Sequence, residues 1–156
     1  MKKKNSHLVF TLSSFFIPLV IYLKTMAPTT SFWDCGEFIA CSVTLGVPHP
    51  PGTPLFLLLG NVFSHIPIFD DIGARVNFIS PIVSAFSIMF LYLIIVQLIK
   101  RIIGSNNDSK NYLNKIKLAQ YSAFIAALTF ALTDSQWFNA VESEVYALST
   151  FFTSIV

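Results

Sequence analysis

"TTSFWDCGEFIACSVTLGVPHPPGTPLF" covers Thr29 to Phe56, and the reading of the whole chain turns on it. It carries two carboxylates, Asp34 and Glu37, one histidine, His49, and two cysteines, Cys35 and Cys41. A Pro-Pro-Gly turn follows at Pro50, Pro51 and Gly52. The chain on either side is mostly hydrocarbon. Acids placed between two stretches apolar enough for a bilayer raise the question of what a charged segment does at a membrane surface.

Working outward, composition sets the class. The chain has 156 residues, 54% hydrophobic and 12% charged, where soluble domains carry roughly 25% charged residues. Sixteen Phe and a mean hydropathy of +0.66 agree. Length alone suggests one soluble domain, but composition places the chain in the membrane class. A net charge of +2, with no long basic stripe interleaved with aromatics, is too small to argue for a nucleic-acid partner, and none is expected. Two cysteines give no disulfide framework, and their spacing suits neither one helical face nor zinc, so both read as packed thiols.

The apolar runs predict an all-α fold of transmembrane helices: spans at about residues 8–24, 78–99 and 118–133, and one over 145–156 that is cut short. That last run is below the roughly 20 residues a spanning helix needs, so the chain reads as the N-terminal part of a longer protein. The first run has a rival reading as a signal peptide, but "KTMAPTTSFW" offers a poor cleavage site. Residues 53–69 hold a short apolar core broken by Asn61, His65 and Pro67, which suits an interfacial or re-entrant helix.

Charge then sets sidedness. Lys100, Arg101, Lys110, Lys115 and Lys117 fill residues 100–117, and Lys2, Lys3 and Lys4 precede the first run. Both basic segments are expected on the cytoplasmic side. An even number of spans must separate them, so 53–69 should not cross, and residues 25–77 form an extracytoplasmic loop. Asp34, Glu37, Asp70, Asp71, Asp134, Glu142 and Glu144 then share the outer face, with Asp108 alone inside. Within the basic loop, residues 104–114 read as a polar, turn-rich connector.

Two acidic segments hold the candidate chemistry. "SFWD" is Ser-x-x-Asp before an apolar run, a capping-box pattern in which Asp34 serves a helix starting near Ser31. Against a mere cap stand Trp33, a residue suited to the membrane interface, and the proline-stiffened "GVPHPPGTP". His49 reads either as a ligand or proton carrier or as a structural hydrogen-bonder. The second segment, "TDSQWFNAVESEVYALS", carries Glu142 and Glu144 as Glu-x-Glu. In an extended segment both point one way, as shared metal coordination requires; in a helix they diverge by about 200°. A solvated helix start is the other reading. A divalent metal on a phosphate takes such oxygens, with Asp34, Glu142 and Glu144 as candidates. Arg75 is a candidate phosphate grip, or else a surface partner of Asp70 or Asp71.

"SFWDCGEFIACSVTLGVPHPPGTPLFLLLGNVFS", "ARVNFISPIVSAF" and "WFNAVESEVYALSTFF" together resemble the family known as domain of unknown function 2723, whose animal member is a membrane protein O-mannosyltransferase. The resemblance covers nearly the whole chain. It implies a GT-C type glycosyltransferase that uses a polyprenyl-phosphate sugar donor outside the cytoplasm, with an acid in the first external loop. On that resemblance Asp34 is the catalytic base and Glu37 its neighbour. His49, Arg75, Glu142, Glu144 and Trp33 become candidates for substrate binding, and the acceptor is a protein or glycan. The alternatives are a transporter subunit, opposed by the uncharged long runs, and a non-catalytic scaffold.

Overall fold

The computed structural model describes residues 2–103 and 109–156, and every described element is a helix. They are α1 (Lys2–Thr25), α2 (Cys35–Thr44), α3 (Pro54–Ser64), α4 (Ile72–Asn77), α5 (Ile79–Ile103), α6 (Ser109–Ala131), α7 (Asp134–Ala140) and α8 (Val145–Ile155).

The long helices form where apolar runs must satisfy their own backbone polar groups. Two stretches are long and apolar enough to cross a membrane, Ser6–Thr25 and Ile72–Ile103. A third arises if Tyr112–Ala131 and Asp134–Ala140, bent by 67°, act together. Pro18 sits inside α1 without ending it, as membrane helices allow. α3 has 11 residues, too few to cross, in keeping with the expected short helix.

Side-chain pairs fix the helix directions. His7 Nδ1 meets the Tyr92 hydroxyl at 2.9 Å, and Phe15 packs against Phe86 with tilted rings, so α1 and α5 run antiparallel. Phe10 packs on Tyr121 and Phe124, while the Tyr22 hydroxyl donates to the Ala131 carbonyl at 2.8 Å, so α1 and α6 run parallel. Ala119, Ala123, Ala127 and Ala131 are buried at four-residue spacing along α6, which lets helix backbones approach closely. The end of α1, the start of α5 and the end of α6 therefore lie at one end of the bundle. Both acidic segments leave from that end.

Three expectations change. The basic segment is not a loop over residues 100–117: α5 continues through Lys100 and Arg101, and α6 already begins at Ser109. Lys and Arg are good helix formers, and nothing in 109–117 breaks the helix. Of the expected connector, residues 104–108 lie outside those described. The third apolar run ends at Ala131, and α7 follows as a separate short helix capped at Thr133. Finally, α2 starts at Cys35, not near Ser31. Trp33 has φ +60°, a left-handed turn that a helix cannot pass through.

Candidate functional site

Asp34 stands at the N-cap of α2, yet its side chain makes no capping hydrogen bond. The capping-box reading therefore fails on both residues. Asp34 caps nothing, and the Ser31 hydroxyl donates instead to Glu142 Oε2. The Asp34 carboxylate is left open to solvent, with His49 Nε2 3.9 Å from its Oδ2.

Glu37 lies one turn into α2 and takes hold of the proline loop. One carboxylate oxygen accepts the His49 backbone N–H at 2.8 Å, and the other accepts Nδ1–H at 2.7 Å. A carboxylate only accepts, so Nδ1 carries the proton and Nε2 is turned toward Asp34. The loop is shaped to deliver this contact. The Gly52 N–H closes a turn onto the His49 carbonyl at 3.1 Å, with Gly52 at φ +92°, where a side chain is disfavoured. Thr53 follows at φ +112°, a strained conformation for a non-glycine residue. Helices α2 and α3 then close tightly, since a Cβ on Gly60 would come within 2.3 Å of Ser42 Oγ.

The pair shifts both titrations. The His49 side-chain bond, then its backbone bond, holds the Glu37 carboxyl below its ordinary value. The Glu37 bond, with smaller pulls from Asp34 and Glu144, holds His49 above its own. Both shifts favour the charged pair over the two isolated groups.

The second acidic segment reaches the same place from α7 and α8. Glu142 and Glu144 lie in the non-helical stretch between them and are only 3% and 6% exposed, so the solvated helix start is not what forms. Burial, and then the Glu144 charge, push Glu142 up to about 7. Its Oε1 is buried without a hydrogen-bond partner. Glu144 is raised by burial and by Asp34, and held back by the Val145 amide and His49. Glu144 thus lies within electrostatic reach of Asp34 and His49, while Glu142 is turned to Ser31.

Among the described residues, the group able to hold a metal ion is Asp34, Glu37 and His49, whose ligand atoms lie within 4.8 Å of one another. That set differs from the expected Asp34, Glu142 and Glu144. Only Asp34 is common to both, and His49 supplies a nitrogen donor.

Arg75 is not brought to the cluster by any hydrogen bond. Its guanidinium donates to the carbonyls of Phe69 (2.6 Å), Ser64 (3.0 Å) and Asp70 (3.3 Å), tying the α3–α4 connection together. Asp71 caps α4 through the Ala74 amide at 3.1 Å, so no surface pair with Arg75 forms among the described residues. Trp33 is 82% exposed and the adjacent Phe32 80%, an aromatic tip beside Asp34.

The residues that join the two acidic segments escaped the sequence reading in these roles. Ala27 N–H donates to the Val141 carbonyl at 2.8 Å, joining the two acidic segments, and Ser31, Asn77 and Ser143 extend the junction. The available signal for Asn77 was an amide in "ARVNFISPI", where an apolar run makes a polar side chain costly unless it is bonded.

An open carboxylate beside a carboxylate-held imidazole, at one end of an apolar helical bundle, defines a membrane protein with acid–base capacity at the bundle's edge. The chain belongs to the family described as "Protein O-mannosyl-transferase TMEM260 N-terminal domain", which it matches over residues 34–156. It is 27% identical over 139 residues to Protein O-mannosyl-transferase tmem260 of Dictyostelium discoideum, covering 88% of this chain and 15% of that protein. It is 25% identical over 136 residues to Protein O-mannosyl-transferase TMEM260 of Mus musculus, covering 87% and 17%. The chain thus spans about a sixth of the length of these relatives. No solved structure matches.

Proposed function

We propose that this chain is the catalytic-loop-bearing part of a GT-C type membrane glycosyltransferase. It moves a mannose-like sugar from a polyprenyl-phosphate donor to a hydroxyl of a protein acceptor outside the cytoplasm. The observation that carries this reading is the Asp34 carboxylate, uncapped and open, with His49 beside it. Membership of the O-mannosyl-transferase family supports the reaction class.

In this mechanism Asp34 takes the proton of the acceptor hydroxyl as its oxygen attacks the anomeric carbon. The bond from that carbon to the phosphate oxygen breaks, and the polyprenyl phosphate leaves with the electron pair. The cation facing the leaving phosphate is the His49 imidazolium, oriented by Glu37. Arg75 is otherwise engaged. The acids stand at the bilayer surface because a lipid-borne phosphate and sugar emerge there.

The test is Asp34→Asn in the full-length protein, assayed with mannosyl polyprenyl phosphate and an acceptor peptide. Loss of a general base typically costs about 10²–10⁴ in rate. The Asp34 side chain makes no capping hydrogen bond and is open to solvent, so the near-isosteric Asn should keep the fold. Expected is a folded, inserted protein with transfer reduced at least about a hundredfold; a near wild-type rate rejects the mechanism. The positive-inside bias places the N-terminus and the start of α6 in the cytoplasm and the acidic end outside. Single cysteines at Thr53 and Ser109, with Cys35 and Cys41 replaced, should label from opposite sides; same-side labelling rejects this topology.

A further inference from the structure

Asn77 closes α4 immediately before the long α5, and its side chain is wholly buried. Its amide nitrogen donates to the carbonyls of Ala27 at 2.9 Å and Thr29 at 2.8 Å. Both are acceptors only, which fixes the NH₂ on that side and leaves Oδ1 on the other. Oδ1 accepts the Ser143 hydroxyl at 2.5 Å and the Cys35 thiol at 3.6 Å. Every hydrogen-bonding position of this amide is therefore filled, by two segments distant from it in sequence.

Those segments are the ones that present the acids. Ala27 and Thr29 belong to the stretch leading into Asp34, Cys35 is the residue after it, and Ser143 lies between Glu142 and Glu144. Among the described residues, the other hydrogen bonds between the segments are Ser31 to Glu142, Ala27 to Val141 and Trp137 to Thr25. Among the described residues, Asn77 alone bonds to both sides of Asp34 and to the residue beside Glu144. A fully bonded buried network makes a single arrangement far cheaper than its neighbours, because any displacement strands a buried polar group.

We infer that Asn77 is a positioning residue: through Ser143, Cys35 and the Ala27–Thr29 carbonyls it sets the placement of Asp34 relative to Glu144. This rests on the reading of Asp34 as the base, and Asn77 itself touches no reacting group. A misplacement near 1 Å costs on the order of a hundredfold in rate. Loss of a positioning residue should appear in kcat, with donor KM little changed.

The experiment uses the full-length protein with Asn77→Ala, the milder Ser143→Ala, and the double variant. Expected is a kcat lowered about tenfold to a hundredfold in Asn77→Ala and less in Ser143→Ala, each with donor KM within about twofold of wild type. The double variant should resemble Asn77→Ala, since both remove one shared bond. As a readout free of activity, Cys35 should become alkylated in Asn77→Ala while Cys41 serves as the internal reference. Wild-type kcat in the folded variants, a loss that follows only the folded fraction, or unchanged Cys35 protection overturns the inference. A near wild-type rate in Asp34→Asn overturns the base reading instead, and the Cys35 readout still reports on the network.

Discussion

Glu37 and Glu142 carry the same side chain at the same end of the bundle, and their surroundings push them in opposite directions. Glu37 is partly exposed and bonded twice to His49, which lowers its value. Glu142 is buried, bonded by Ser31 through one oxygen and by nothing through the other, and is raised to about 7. The first acidic segment holds its charges in contact with water and a cation. The second carries its charges into the protein, where burial disfavours them. The difference teaches that only the first is arranged to leave a carboxylate open to solvent, at Asp34. The second braces it.

The largest effect that breaks or upholds this contrast is on rate. Asp34→Asn should lose about two orders of magnitude or more in transfer, whereas Glu142→Gln, which can still accept from Ser31, should keep most of it. Equal losses in single-turnover assays of the two variants would erase the distinction between a working and a bracing segment.

Next comes a change in stability. Arg75 donates three bonds to backbone carbonyls, and a hydrogen bond to a charged group contributes about 1.5–3 kcal/mol. Arg75→Gln should therefore lower the thermal midpoint clearly while leaving donor KM unchanged. A raised donor KM at an unchanged midpoint would return Arg75 to phosphate binding and take that role from His49.

A smaller effect is pH-dependent. Glu142 is held near 7 in the folded chain against an ordinary 4.5. Between those values the folded state keeps a proton that the unfolded state releases. The contribution of Glu142 to stability is full below about 4.5 and is lost as pH rises through about 7. The thermal midpoint in detergent should fall from pH 5 to pH 8, and Glu142→Gln should flatten that slope. An unchanged slope in the variant would show that Glu142 is not the group responsible.

The smallest effect concerns the exposed pair. His49 is held above its ordinary value and Glu37 below its own, so the charged pair persists between the two shifted values. The His49 part of its stabilisation is lost as pH rises through the raised histidine value. The Glu37 part is lost as pH falls through the lowered carboxyl value. An NMR titration should find His49 above 6.5, moving back toward it in Glu37→Gln. No movement would show that Glu37 does not orient the imidazole.

Much of this was legible from residue order. The apolar runs marked α1 and α5, and the broken run at residues 53–69 marked a helix too short to cross. Asp34, Glu37 and His49 were each visible as unusual groups in apolar surroundings. Their pairing was not, because Glu37 meets His49 across a loop whose path depends on the Gly52 and Thr53 backbone. Ser31 looked like a cap because local spacing cannot reveal that Glu142, far along the chain, takes its hydroxyl. Arg75 looked like a phosphate grip or a surface partner of Asp70 or Asp71 because backbone carbonyls leave no mark in a sequence.

By itself the sequence determined the class of structure: hydrophobicity and helical self-sufficiency act locally, so runs of apolar residues had to become helices wherever they then packed. The tertiary structure alone decided which acid is open and which is buried. It brought Glu144 within electrostatic reach of Asp34 and made Asn77 the meeting point of the two acidic segments. Burial and hydrogen bonding depend on what arrives from elsewhere in the chain, and the antiparallel set of α1 and α5 with the parallel set of α1 and α6 brought both acidic segments to one end.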